Sequence, residues 1–176
     1  MKLHLGCGEV HLDGYVNVDI RYLQGVDKIE DIRYLRSFKN DSVDVIYSCS
    51  VLEHCIRWEY HNVLKRWFDL LKTGGVLRLA VPNFEAIVEH YMEHRELKTL
   101  IGMLYGGQDY EQNFHHMCWD FKTLSGDLMD IGFKNVKLYD WRETEHADID
   151  DFSQAYLPHM DKKNGKLMHL NVEAVK

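Results

Sequence analysis

The sequence has only two prolines in 176 residues, Pro82 and Pro158, and neither falls in a stretch that reads as an interdomain linker. Cysteine is scarce too: Cys7, Cys49, Cys55 and Cys118 show no CxxC spacing and no dense secreted framework. Thiols kept reduced in a cytosol, and so a cytoplasmic location, are the expectation. Basic residues are outnumbered, 21 Lys and Arg against 28 Asp and Glu, giving a formal charge of -7 with no run of cations. A nucleic-acid partner is therefore not expected, because neutralising a phosphate backbone needs clustered positive charge. Apolar runs are short and broken by charge, which predicts no membrane span. The chain starts almost on a strand, leaving no room for a signal peptide. There is no internal repeat and no low-complexity tract.

What is present is a 45% hydrophobic chain, enough for one globular domain, residues 1–176, with a substantial core. KLHLGCGEVHLDGYVNVD opens it: a strand over Leu3 to Leu5, a glycine turn at Gly6-Cys7-Gly8, and a second strand ending in Asp19. Such glycines let backbone approach a ligand closely, and a carboxylate at the next strand tip can accept both ribose hydroxyl protons. KIEDI reads as a short strand ending at Asp31, and VDVIYSCS (Val43 to Ser50) as a buried strand of a parallel sheet. Tyr60, Val63, Leu64, Trp67, Phe68 and Leu71 share one helical face, and Thr73-Gly74-Gly75 stops that helix. VLRLAVP is the next strand.

Phe84, Ile87, Val88, Tyr91 and Met92 repeat the helical spacing, predicting a helix over about 84–104 with that stripe inward. GGQDYEQNFHHMCWD has no periodicity and reads as a long loop, a feature often tied to function. Phe121 to Ile131 is a helix ended by Gly132, VKLYDW a strand, and KLMHLNVEAV a last strand after the Asn164-Gly165 turn. Residues 143–165 are polar and expected to be mobile. Strands alternating with helices predict an α/β fold. The expected form is a three-layer Rossmann-like sandwich, its sheet mostly parallel with an antiparallel C-terminal edge.

The spacing decides what the opening turn can hold. A dinucleotide fingerprint is GxGxxG opening a helix, with its acid about 20 residues on. Here the third glycine position is His11, Asp19 follows Gly8 by eleven residues, and only nine residues, Gly6 to Gly14, separate the strands. That is too short for an ordinary helix, so no helix N-terminus faces a pyrophosphate. A nucleoside without phosphate fits better, and S-adenosyl-L-methionine is one. Strand-end turn roles remain the plain alternative for Asp19 and Asp31.

LHLGCG, the acids of VNVDI and IEDI, VDVIYSCSVLEH and LLKTGGVLRLAVPN resemble the ordered motifs of class I S-adenosylmethionine-dependent methyltransferases. The likeness is nearest to the small type 11-like group with a shortened first connector. GGQDYEQNFHHMCWDFKTLSGDLMDIGFKNVKLYDW resembles that group's later half. The resemblance implies that Leu5, Gly6, Cys7 and Gly8 run beside the cofactor's methionine and ribose. It implies Asp19 with Ile20 at the ribose, Asp31 and Ile32 at the adenine, and Ser48, Cys49 and Ser50 near the sulfonium. Two departures bear on the methionine end: His4 replaces the usual acid, and Val10 the usual third glycine.

Methyl transfer implies S-adenosyl-L-homocysteine as product and a small-molecule or glycan acceptor. A base is needed only if the acceptor must lose a proton. His54 and His115 are the candidates, with Glu53, Asn83 and His116 as acceptor-binding residues. Glu53 has three readings: orienting His54, stabilising a helix start, or binding the acceptor. His90, Glu93 and His94 spell HxxEH but fall opposite the apolar stripe, so a solvated face explains them and no metal site is expected. Segments 84–120, with the loop 106–119 inside it, and 143–165 are the expected cover over the acceptor side, a second subunit being the other source. The alternative function is a methyltransferase-like module that binds S-adenosylmethionine or a partner without turnover.

Overall fold

The computed structural model describes residues 1–176. In chain order the strands of the first half are β1 (Lys2–Leu5), β2 (Val16–Asp19), β3 (Lys28–Ile29), β4 (Val43–Cys49) and β5 (Leu71–Pro82). The helices are α1 (Tyr60–Leu70), α2 (Phe84–His94), α3 (Ile101–Tyr105) and α4 (Phe121–Ile131). After α4 come β6 (Lys134–Leu138), a two-stranded hairpin of β7 (Tyr156–Leu157) and β8 (Lys166–Leu167), and β9 (His169–Val175).

The main sheet has seven strands in the order β3-β2-β1-β4-β5-β9-β6. β1 pairs in parallel with both β2 and β4, so its tip sits between theirs. β9 is antiparallel to β5 and β6, and this final pair makes the antiparallel edge with β6 outermost. The α/β class and mostly parallel sheet expected from the motif order are what the chain forms. Because β9 runs backward, its first residue, His169, pairs with Pro82 at the far end of β5.

Leu3, Leu5, Ile46, Leu77 and Leu79 are fully buried and face the layer formed by α1 and α4. α1 contributes Val63, Leu64, Trp67 and Leu70, spaced to lie on one face. Burying a side chain of this size stabilises the fold by about 1.5–3 kcal/mol. The opposite sheet face carries His4, Tyr47 and Cys49, and no long helix covers it. Residues 141–156 do so, in short 3-10 turns at Trp141–Glu143 and Phe152–Gln154. Tyr47 donates to Asp151 at 2.6 Å, Tyr15 to Glu145 at 2.6 Å, and the Asn171 amide to the Ser153 carbonyl at 2.9 Å.

Several local expectations need correction. Residues 143–165 are tied down instead of mobile, since their polar side chains find partners inside, as Gln154 does with the Ala147 and Ile149 carbonyls. The strand expected to reach Asp31 stops at Ile29. α1 ends before Leu71, and Gly74, at φ +80, lies within β5 instead of stopping the helix. The helix expected over 84–104 breaks at Arg95, which adopts φ +56, and resumes as a 3-10 turn and α3. α2 is also rotated from its expected face. Ala86, Ile87 and His90 are buried, while Phe84, Val88, Tyr91 and Met92 are exposed, so the solvated reading of His90 fails. VKLYDW is a strand only through Leu138, and KLMHLNVEAV splits at Met168 into β8 and β9.

Candidate functional site

The C-terminal tips of β1, β2 and β4 meet around two adjoining cavities. The smaller, about 340 Å³, is bordered by Asp19, Ile20, Asp31, Ile32 and His116. The larger, about 730 Å³, takes Cys7, Gly8, Cys49, His115 and His169. Gly6, Ser50 and His54 border both. Cavities in this size range suit small ligands.

The glycine turn is shaped by a close approach. Gly6 has φ +66, and a Cβ there would lie 2.3 Å from Cγ2 of Val51, the residue just beyond β4. The turn is thereby pressed onto the segment that carries Ser50, Glu53 and His54. The Gly8 amide donates to Asp19 at 2.8 Å, while the other Asp19 oxygen accepts from the Arg21 amide at 2.8 Å and from Arg21 Nε at 3.2 Å. Arg21 in turn lies over the Tyr110 ring, 4.5 Å from its centroid, linking the carboxylate to the loop at 106–119. Asp31 is paired with Arg33 at 2.6 Å. Burial would raise its carboxyl, yet the bonds from Arg33 hold it below the ordinary value. Both arginines beside the smaller cavity are thus neutralised by neighbouring carboxylates. No unpaired cation there awaits a phosphate, and this fits a phosphate-free nucleoside.

Other expected residues stand further back. Leu5 and Ser48 are buried beneath the cavities, with the Ser48 hydroxyl donating to the Leu5 carbonyl at 3.3 Å. Asn83 caps α2 by accepting from the Glu85 amide at 3.1 Å and borders neither cavity. Burial, then Asp19, pushes the Cys7 thiol up to about 12, and burial raises Cys49 well above its ordinary value. Neither supplies a thiolate. His4, in the place of the usual acid, is buried beside Asn17 Oδ1 at 3.2 Å, and burial brings it down to about 4. It is therefore neutral and packs near the Tyr47 ring.

At the larger cavity three imidazoles converge. His54 Nδ1 faces the Phe114 carbonyl at 3.1 Å, and His115 Nδ1 faces the Met103 carbonyl at 2.8 Å. A carbonyl only accepts, so Nδ1 carries the proton in each ring and Nε2 keeps its lone pair. The two rings lie edge to face with centroids 4.8 Å apart. Burial, and then His115, brings His54 down to about 4, and burial lowers His115 as well. His169, brought to about 3 by burial, places Nε2 2.9 Å from the Ser50 hydroxyl. Ser50 adopts φ +53, which is uncommon for a residue with a side chain, and such positions cluster at functional sites.

Glu53 lies in a 3-10 turn, Leu52–His54, well before α1, so it does not stabilise that helix start. Its carbonyl accepts from the His116 and Met117 amides at 2.8 and 3.2 Å, stitching the loop to the strand end. Its carboxyl is fully buried, and burial pushes it up to about 8. It makes no hydrogen bond to His54; its Oε1 instead lies 3.9 Å from His115 Nε2.

Sequence reasoning did not find His169, Arg21 or Tyr110. His169 opens the last strand, whose antiparallel direction was expected but whose pairing with β5 was not. Arg21, two residues past the expected ribose acid, carried a proximity signal. Tyr110 had only its place in the long loop.

A family model described as methyltransferase domain matches residues 20–79. No curated protein sequence matches the chain. Among solved structures, a SAM-dependent methyltransferase from Archaeoglobus fulgidus superposes with a TM-score of 0.61 at 17% identity, covering 99% of this chain and 85% of that one. An S-adenosylmethionine-dependent methyltransferase from Mesorhizobium loti gives 0.57 at 17% identity, covering 99% and 90%. A chain of the complex between the Haloferax volcanii Trm112 methyltransferase activator and its partner gives 0.57 at 15% identity, covering 99% and 81%. The fold is that of the class I S-adenosylmethionine-dependent methyltransferases. Together with the family match it bears out the recognition made from the ordered motifs. No helix is long and apolar enough to cross a membrane.

Proposed function

We propose that this protein transfers the methyl group of S-adenosyl-L-methionine to a small-molecule or glycan acceptor, leaving S-adenosyl-L-homocysteine. The observation that carries this reading is the junction of the two cavities at Gly6, Ser50 and His54. On one side stand Asp19 and Asp31, and on the other three uncharged imidazoles. The larger cavity has no Lys or Arg besides Arg21, which Asp19 already pairs, so a polyanionic acceptor has nothing to hold it there.

The cofactor, when bound, supplies a methyl carbon already activated by its sulfonium. The chain's own work is then alignment and exclusion of water. Asp19 would hold the ribose hydroxyls, and Ile20 and Ile32 offer apolar contacts for the base. The loop at 106–119 and residues 150–160 border the larger cavity and would limit the access of water once an acceptor is bound. His54 or His115, with Nε2 unprotonated, takes a proton from an acceptor hydroxyl or amine as it attacks.

Isothermal titration with S-adenosylmethionine and S-adenosylhomocysteine tests the reading, and absence of binding at millimolar cofactor defeats it. A second reading, binding without turnover, is favoured by the two departures in the cofactor turn, His4 in place of the usual acid and Val10 in place of the usual third glycine. Cofactor binding combined with no methyl transfer to any member of a sugar and metabolite panel would support it.

A further inference from the structure

Both carboxylate oxygens of Glu53 are buried and have no hydrogen-bond partner. The nearby backbone amides of Val51 and Glu53 itself do not reach hydrogen-bond geometry, and no Lys or Arg forms an ion pair with this side chain. A buried carboxyl with nothing to bond is costly in either protonation state, so its retention calls for a partner from outside the chain.

The surroundings indicate the kind of partner. One ligand atom each from Glu53, His54 and His115 falls within 4.8 Å of the others. Two imidazoles and a carboxylate form a donor set for divalent transition metals. An independent observation is what lies behind the two rings. Nδ1 of each ring faces a backbone carbonyl, of Phe114 for His54 and of Met103 for His115, which leaves Nε2 of each as the nitrogen with a free lone pair. That arrangement is the one by which metal-ligating histidines are oriented. Bonds of about 2.0–2.2 Å would draw the three donor atoms together by roughly 1 Å, within reach of side-chain rotation.

We propose that Glu53, His54 and His115 bind a divalent transition-metal ion, with Zn²⁺ as the type case, whose open positions face the larger cavity and take an oxygen of the methyl acceptor. This deepens the reading of that cavity as the acceptor site and rests on it. The two imidazoles then act as ligands instead of proton acceptors. A hydroxyl bound to the ion releases its proton to solvent, because coordination lowers its pKa. HxxEH on α2 is a separate cluster: His94 and Glu93 there are exposed, and His94 serves as a control.

The test is calorimetric titration of chelator-treated full chain with Zn²⁺, repeated with Mn²⁺. One equivalent should bind the wild type, with Zn²⁺ affinity reduced at least tenfold in Glu53→Gln and in His115→Ala and unchanged in His94→Ala. Thermal midpoints and S-adenosylhomocysteine titration show that the variants remain folded. Wild type binding no tighter than folded His115→Ala, or binding lost in His94→Ala, would overturn the proposal. Zn²⁺ binding as expected, alongside no cofactor binding by any form, would instead count against the methyltransferase reading and leave the ion site standing.

Discussion

Gly8 donates its amide to the Asp19 carboxylate at 2.8 Å, joining the glycine turn to the tip of β2 without a helix between them. The carboxylate expected to meet a ribose is thus also a structural tie, and its other oxygen is held by Arg21. Replacing Asp19 with Asn keeps the shape and removes the charge. Hydrogen bonds to a charged group are worth about 1.5–3 kcal/mol, so S-adenosylhomocysteine affinity should fall roughly tenfold to hundredfold in Asp19→Asn. Calorimetric titration checks this, and an unchanged affinity would remove Asp19 from the cofactor site.

Gly6→Ala should destabilise the protein by about 2 kcal/mol, because the new methyl group meets Val51 and the backbone sits at φ +66. Adding Val51→Ala should recover part of that loss, since the two side chains would compete for one space. Urea unfolding of the single and double variants measures the coupling. Strict additivity would mean that contact with Val51 is not what requires glycine.

Arg21→Ala removes the cation seated over Tyr110 and one partner of Asp19. A cation–π contact at a partly exposed site contributes about 0.5–1 kcal/mol. Amide exchange across residues 107–113 should therefore quicken about two- to fivefold, as read by hydrogen-exchange mass spectrometry. Exchange unchanged in that loop would show that Arg21 does not hold it.

Acid should weaken the fold well above the carboxylate range. His4 and His169 are buried and neutral, brought to about 4 and about 3 by burial, against about 6.5 once unfolded. At these two sites the unfolded chain then binds more protons than the folded one between pH 6.5 and 4. Glu53, pushed up to about 8, opposes this at one site and offsets about one ring. Stability present above pH 6.5 is lost as pH falls, by up to about 1.4 kcal/mol per pH unit for each ring. The urea midpoint should drop from pH 7 to pH 5, and His169→Gln should flatten the slope. A midpoint independent of pH over that range would contradict the burial of these neutral rings.

Much of this protein was legible in its residues. Apolar runs and helical spacing placed β1, β2, β4, β5, α1 and α4, because a parallel sheet covered on both faces and a one-sided helix each leave a periodic trace. The short interval between Gly8 and Asp19 argued against a dinucleotide turn on chain length alone. Tertiary structure decided the rest. The face of α2 turned because Ile87 and Ala86 dock with Leu100 and Met168, contacts that its own periodicity does not encode. The polar stretch 143–165 folded because its acids and amides found buried partners on the opposite sheet face. His169 reached the cavity because β9, expected to be antiparallel, pairs with β5, which carries its first residue to the end where the parallel strands finish. Glu53, His54 and His115 share one corner because the Glu53 carbonyl anchors a loop more than sixty residues downstream. Local sequence sets periodicity and spacing; which distant groups meet is set by strand direction and by the pairing that buried polar groups require.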